Sequence, residues 1–191
     1  QEFFGTLRIG ATPNRVLLEV TYLTHDANRP CRTFESPLPD VSARLELCRQ
    51  WAALLEILHE NDVVAGDISD RNWLWTCNGS SPRAFMLDCD AYRLIGKSGV
   101  LTQKETPGWE DAHLAGHQTN PTSDVYKLGL MVFRVLLQAR HERPEYDDPR
   151  LLGPGSVIPR SVTDLILASV GPRGDRPTAA DWSRGLRTAF I

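Results

Sequence analysis

The chain has 191 residues, 41% of them hydrophobic and 24% charged, as expected for one globular domain with a core of its own. The net charge of −3, without a long basic run, argues against a nucleic-acid partner, because affinity for phosphates usually comes from clustered lysine and arginine. No segment approaches the roughly 18–20 uninterrupted apolar residues of a membrane span. Four cysteines without a C-x-x-C pair suit neither a disulfide scaffold nor a zinc site, so we expect a reduced, cytoplasmic protein with no membrane partner.

The first part of the chain predicts β-structure. Residues 3–9 and 16–23 are rich in apolar and β-branched residues and are predicted to be strands. Thr12, Pro13 and Asn14 between them are typical turn residues, so a turn is predicted there. The polar residues 24–30 then predict a linker.

A long helix follows the linker. From Val41 to Leu58 the apolar residues recur at spacings of three and four, which is the period of one helix face. Asp40 is the predicted N-cap, and the helix should end near Asn61.

Two short β-elements are predicted next. Residues 63–65 form a short strand, and residues 73–76 and 84–87 form a hairpin around the turn at 78–80. In such a hairpin Asn72 and Asp88 lie at neighbouring strand ends.

The rest of the chain is predicted to be helical. Residues 124–138 are apolar nearly all round, which indicates a buried helix, with Thr122 or Ser123 as its cap. Residues 139–159 carry four prolines and predict at most a short helix. Residues 162–170 and 178–189 predict two further helices.

Two acidic motifs carry the chemistry. GDISDRN (66–72) contains an aspartate and an asparagine five residues apart, and LDCD (87–90) follows after a short apolar interval. Phosphoryl transfer from Mg-ATP requires one carboxylate to orient the attacking hydroxyl, and an amide and a second carboxylate to hold metal ions on the phosphates.

In these motifs and in three later ones, the chain resembles the C-terminal lobe of eukaryotic-type protein kinases. TPGWEDAH (106–113) is similar to the end of that family's activation segment, SDVYKLGL (123–130) to the start of its central helix, and GDRPTAADW (174–182) to the start of its last helix. The resemblance implies an α+β, mainly α fold: a kinase-like C-lobe with a short N-terminal β-hairpin and a small catalytic-loop hairpin.

The resemblance also assigns the site. It implies that Asp67 is the catalytic aspartate, that Asn72 and Asp88 hold Mg, and that ATP is the cofactor. Arg71 would contact phosphate as a catalytic residue, with a surface ion pair as an equal alternative.

Two further residues are expected to support the site. Asp124 would accept hydrogen bonds from amides of the catalytic loop. Arg176 would need an anion, because His113 stands where the family has its glutamate, and Asp111 and Glu110 are the candidates.

Several positions depart from the family's pattern. Gly66 replaces the arginine that receives an activation-segment phosphate, so activation by that route is not expected. Ser69 replaces a phosphate-contacting lysine, and Cys89 and Asp90 replace the phenylalanine and glycine that follow the metal-binding aspartate.

The sequence contains no glycine-rich loop of the form G-x-G-x-x-G. We therefore expect residues 1–30 to be a remnant of the kinase N-lobe strands with the interlobe hinge, and residues 31–191 to be the C-lobe. The missing N-lobe would come from the upstream chain or from another chain, and these residues alone should turn over little.

Three functions remain open. The first is a transferase that phosphorylates a protein substrate. The second is a pseudokinase that binds a nucleotide or a partner protein. The third is a small-molecule kinase of the aminoglycoside type, against which the TPGWE and SDVYKLG segments count.

Overall fold

The computed structural model describes residues 3–9, 11–25, 32–35, 38–77, 81–97, 105–114 and 118–189, which form an α+β, mainly helical protein, as predicted. The strands are β1 (Phe4–Ile9), β2 (Thr12–Leu17), β3 (Arg32–Phe34), β4 (Val63–Val64), β5 (Trp73–Thr76), β6 (Arg83–Met86) and β7 (Arg93–Leu94). The helices are α1 (Val41–Glu60), α2 (Pro121–Leu137), α3 (Pro149–Leu152), α4 (Arg160–Val170) and α5 (Ala179–Thr188).

The N-terminal sheet differs in register from its prediction. Strands β1 and β2 pair antiparallel with Ile9 opposite Thr12, so the predicted turn at residues 12–14 is wrong and these residues begin β2. Pro13 is tolerated there because β2 is an edge strand of a sheet with the order β2-β1-β3.

The predicted strand at residues 16–23 is also wrong in its second half, where Val20–Tyr22 is a 3₁₀ helix. Val20 and Leu23 are fully buried in the core. Their apolar character therefore reflects burial and not a strand, and a short apolar run does not distinguish the two.

Strand β3 completes this sheet. It pairs antiparallel with β1, with Phe34 opposite Leu7, so the sheet continues past the domain boundary expected at residue 30. Residues 26–30, most of the expected hinge, lie outside the described residues.

Helix α1 confirms its prediction at both ends. Asp40 caps it by accepting a hydrogen bond of 2.8 Å from the Ala43 amide at Oδ1, and its C-cap is Asn61. Its buried face includes Cys48, Trp51 and Leu55.

The hairpin that follows is also confirmed in its strands. β5 and β6 pair antiparallel with Trp73 opposite Met86, while residues 78–80 lie outside the described residues. The flanking residues Asn72 and Leu87 continue the pairing, because the Leu87 amide donates to the Asn72 carbonyl at 2.7 Å.

Helix α2 is the centre of the core and packs against α1 and α4. It is buried from Ser123 to Leu136, as the sequence predicts. Its cap differs from both candidates: Asn120 accepts from the Ser123 amide at 3.0 Å, and the Ser123 hydroxyl accepts from the Asn120 amide at 2.8 Å. This reciprocal capping box starts the helix at Pro121, earlier than predicted.

The C-terminal part is helical as predicted. The proline-rich stretch contains only the four-residue helix α3 between α2 and α4, and Thr178 caps α5. Within the described ranges, no helix is both long and apolar enough to span a membrane.

Candidate active site

The loop between β4 and β5 forms the centre of the site. Gly66 has a φ of 78°, a left-handed conformation that glycine adopts without steric cost, and it turns the chain immediately before Asp67. The Asp67 amide donates to the Ala65 carbonyl at 3.0 Å, so the turn is tight. Asp67 itself is half-buried.

Asn72 closes the loop onto Asp67. Its Nδ2 donates to the Asp67 carbonyl and to Asp67 Oδ2, both at 2.9 Å. Two acceptors orient the amide nitrogen towards Asp67, and no described residue donates to Asn72 Oδ1. The oxygen of this amide is therefore available to a ligand.

Thr106 supplies the remaining contacts to Asp67. Its amide donates to Asp67 Oδ1 at 3.0 Å, and its hydroxyl lies 2.9 Å from Oδ1 and 3.2 Å from Oδ2. The sequence analysis did not single out Thr106 as a site residue. The signal that could have identified Thr106 is the TPGWE motif, of which it is the first residue. The kinase resemblance implies that this segment faces the loop of Asp67.

Asp88 lies beside Asn72 through the backbone of the hairpin. The hydrogen bond between the Leu87 amide and the Asn72 carbonyl brings the residue after Leu87 to the same edge. Asp88 is exposed, and its Oδ1 accepts from the Asp90 amide at 3.1 Å. Its φ of 62° is uncommon for a residue other than glycine, and such outliers concentrate at functional sites.

The oxygens at this edge fit a hard divalent cation. Mg²⁺ in phosphoryl-transfer sites uses one or two protein oxygens, completed by water and by the phosphates of the substrate. Asn72 Oδ1 and the Asp88 carboxylate are donors of that kind. No group of three or more His, Cys, Asp or Glu side chains that could hold a metal is found in the part of the chain that the structure describes. The pair could hold the ion only together with a phosphate ligand.

Asp124 binds the backbone of the loop that carries Asp67. It is completely buried at the start of α2, and it accepts from the Ala65 amide at 2.8 Å and from the Gly66 amide at 2.9 Å. His59 Nε2 lies 3.1 Å from Asp124 Oδ2, with a side chain only 14% exposed. The sequence analysis missed His59, since its partner lies 65 residues away.

Arg71 is exposed and lies near Glu19. Burial raises the pKa of Glu19, and the positive charge of Arg71 opposes that shift. Ser69, two residues earlier, is completely buried, so it does not face the open side of the loop. Arg71 is therefore the cation of this loop that can reach a ligand in solvent.

Arg176 forms a bidentate ion pair with Asp111. The distances from its two terminal nitrogens to the carboxylate oxygens are 2.6 and 2.9 Å, and both side chains are inaccessible to solvent. Of the two anions that the sequence left open, the structure pairs Arg176 with Asp111. Burial acts to raise the pKa of Asp111, but hydrogen bonds from Arg176 and the His113 amide outweigh it, and the pKa is lowered. The pair joins the TPGWED segment to the start of α5.

No protein-family model matches this chain, and no curated protein sequence matches it. The kinase resemblance therefore rests on the motifs of the chain.

Proposed function

We propose that this chain is the C-terminal lobe of a protein-kinase-like phosphotransferase, which transfers the γ-phosphoryl group of Mg-ATP to a protein hydroxyl. The observation that carries the proposal is the closed Asp67–Asn72 loop. Asn72 Nδ2 bonds to both the backbone and the carboxylate of Asp67 at 2.9 Å, and Asp88 lies at the neighbouring strand end. In this proposal Asp67 is the proton acceptor, and Asn72 and Asp88, at paired ends of the hairpin, are the oxygen donors for the cation.

In this proposal Asp67 orients the acceptor hydroxyl and takes its proton. The hydroxyl oxygen forms a bond to the γ-phosphorus while the bond from that phosphorus to the ADP oxygen breaks. The contact of the Thr106 hydroxyl with Asp67 Oδ1, at 2.9 Å, supports the ability of this carboxylate to bind an alcohol. Mg²⁺ supplies charge neutralisation on the phosphates when it is bound, and Asn72 and Asp88 would hold it.

A second candidate function is a pseudokinase module that binds a nucleotide or a partner protein without turnover. Cys89, at the position of a buried phenylalanine in the family, is exposed here and contributes nothing to the core. The two candidates differ in whether an added acceptor is phosphorylated.

Calorimetry with ATP, with and without Mg²⁺, tests the nucleotide site that both candidates allow. We expect weak binding that Mg²⁺ strengthens by about tenfold or more, since the ion must bridge protein oxygens and phosphates. Asp88→Asn should abolish the effect of the metal. The matched control is Asp62→Asn, which removes the same charge from an exposed aspartate with a similar left-handed φ of 58° and should preserve the effect.

The result that contradicts the site is equal ATP affinity with and without Mg²⁺ in the unmodified protein. Metal-dependent binding that survives Asp88→Asn would show that the ion is held elsewhere. Phosphorylation of a protein acceptor by the complete two-lobed protein would then separate the transferase from the pseudokinase.

A further inference from the structure

Lys127 on α2 is a charged residue that the proposed chemistry does not use. Its side chain is completely inaccessible to solvent, although an ammonium group is costly to bury without partners. It stands in the SDVYKLG motif, where the family usually has serine. A buried lysine at this position requires a specific explanation.

Its two partners belong to the two segments that form the site. The Lys127 ammonium donates to the carbonyl of Gly66, and it forms an ion pair with the Glu105 carboxylate. Gly66 immediately precedes Asp67, and Glu105 immediately precedes Thr106. One buried cation therefore joins the catalytic loop to the segment that contacts it.

The contacts of Lys127 complement those of Asp124 on the same helix. Asp124 accepts from the Gly66 amide at 2.9 Å, and Lys127 donates to the carbonyl of the same residue. Both polar groups of the Gly66 backbone are thus bound to α2. The Glu105 contact is different in kind, because it fixes a separate segment, in which the next residue, Thr106, lies 39 residues after Asp67.

We propose that Lys127 is a positioning residue, which holds the Glu105–Thr106 segment on Asp67 without any phosphate group. The carboxylate of Glu105 belongs to the chain itself, and Lys127 is its receptor inside the protein. This arrangement orders the contact of Thr106 with Asp67. It does so without the arginine that receives a phosphate in the family, because Gly66 stands at that position. The role of Lys127 in positioning the Glu105–Thr106 segment follows from the contacts of its ammonium group, whereas its effect on turnover rests on the proposed function.

The Thr106 amide provides a direct measurement of this positioning. It donates to Asp67 Oδ1 at 3.0 Å, so its hydrogen exchange reports whether the segment is held. The amides of Ala65 and Gly66 donate to Asp124 and report on the loop itself. In Lys127→Met we expect the Thr106 amide to exchange about tenfold faster or more, with a smaller change at Ala65.

The matched control is Lys97→Met, which removes an exposed lysine and should leave all three amides unchanged. Glu105→Gln is the second variant. It removes the ion pair from a side chain that is 22% exposed and leaves the bond from Lys127 to the Gly66 carbonyl, so it should release Thr106 even if Lys127→Met does not fold.

Two exchange results would overturn the proposal. One is a Thr106 amide that exchanges at the same rate in Glu105→Gln as in Lys97→Met. The other is an equal acceleration of all three amides, which would mean that Lys127 contributes only global stability.

The catalytic consequence is measured separately, on the two-lobed protein that the proposed function requires. Glu105→Gln should lower kcat by about tenfold or more, because the Asp67 carboxylate would lose a donor that orients it. The ATP dissociation constant should change less than about twofold, since the amide and hydroxyl of Thr106 bond to Asp67, which is not one of the expected metal ligands. An unchanged kcat in a protein that transfers phosphate would contradict this consequence. A protein that transfers no phosphate would contradict the proposed function alone, since the exchange experiment does not depend on turnover.

Discussion

Asp67, Asp88 and Asp124 carry the same side chain in three environments. Asp124 is completely buried with donors on both oxygens, Asp67 is half-buried and bound by Asn72 and Thr106, and Asp88 is exposed with one local amide on Oδ1. The cost of removing a carboxylate depends on the donors that it leaves without a partner. The three residues should therefore respond differently to substitution.

Asp124→Ala is expected to destabilise the fold strongly. It would leave the buried amides of Ala65 and Gly66 without an acceptor, at about 1–3 kcal/mol for each orphaned group. Asp88→Asn should change the free energy of unfolding by less than about 0.5 kcal/mol, because the residue is exposed and asparagine tolerates the left-handed backbone. Urea unfolding of the two variants measures both values. Equal losses would show that Asp88 has a structural role.

The Asp111–Arg176 pair predicts a loss of stability in acid. The pKa of Asp111 is lower in the folded protein than in the unfolded chain, so its stabilising contribution is complete above the unfolded value of about 3.9. It is lost as the pH falls through the lower folded value, because the unfolded state then binds more protons.

Asp111→Asn is therefore expected to cost about 3–5 kcal/mol at pH 7, since it leaves the buried Arg176 without a counter-charge. The difference from the unmodified protein should shrink as the pH falls below about 4. Thermal melts between pH 3 and 7 measure it, with Asp147→Asn as a control at an exposed carboxylate. A difference that is independent of pH would show that the ion pair is not the cause.

Among the elements, α2 has the greatest influence on the site. Its first turn carries Asp124, its second carries Lys127, and its other face packs on α4. At Gly129 the packing is so close that a Cβ atom would lie 2.5 Å from the Ser169 Cβ atom. The position of the loop that carries Asp67 therefore depends on how closely α2 approaches its neighbours.

Gly129→Ala tests that dependence. Alanine favours a helix over glycine by about 1 kcal/mol, but the clash with Ser169 should force α2 and α4 apart and cost about 1–3 kcal/mol or more. Gly185→Ala on α5 is the matched control. Its new Cβ atom would meet Leu165 Cδ1 at 2.6 Å, the end of a side chain that can rotate, so the variant should be neutral or slightly stabilised.

Denaturant midpoints compare the two glycine variants directly. The expected order of stability is Gly185→Ala, then the unmodified protein, then Gly129→Ala. A stabilised Gly129→Ala would show that α2 and α4 separate without cost, and that the loop tolerates a displaced helix.

At the scale of the whole molecule, the loop of Asp67 contacts the 3₁₀ helix that follows the N-terminal sheet and the segment that follows α2. The Thr21 amide donates to the Asp70 carbonyl at 2.8 Å, and Arg140, which follows α2, lies 3.2 Å from Asp70 Oδ2. Leu18, just after β2, accepts from the Trp75 amide of β5 at 3.0 Å. The loop is therefore held by structure before it and after it in the chain.

If the chain is one lobe of a phosphotransferase, as proposed, Asp67→Asn should lower kcat of the two-lobed protein by about 10²–10⁴-fold, because the acceptor hydroxyl would lose its proton acceptor. The dissociation constant of Mg-ATP should stay the same, since Asp67 is not one of the expected metal ligands. Asp62→Asn is the control: it changes an exposed aspartate with a φ of 58°, which asparagine tolerates. Transfer that persists in Asp67→Asn would exclude Asp67 as the proton acceptor.

Local patterns in the sequence determined much of the architecture. The spacing of apolar residues and Asp40 were sufficient for α1, and continuous apolar character was sufficient for the burial of α2. The Asp67–Asn72 loop could be predicted because both partners lie within one short motif. These features depend on residues close together in the chain, so their periodicity or spacing can be recognised from the sequence without knowledge of the tertiary structure.

The tertiary structure decided everything that joins distant segments. Val20–Tyr22 is a 3₁₀ helix with Val20 in the core. The contacts of Thr106 and His59 with their aspartates and of Lys127 with Gly66 each cross 39 or more residues of chain. A lysine in a sequence indicates a charge but does not indicate its partner. Lys127 is stable inside the lobe only because the fold brings a backbone carbonyl and a carboxylate to it, and that juxtaposition exists in three dimensions alone.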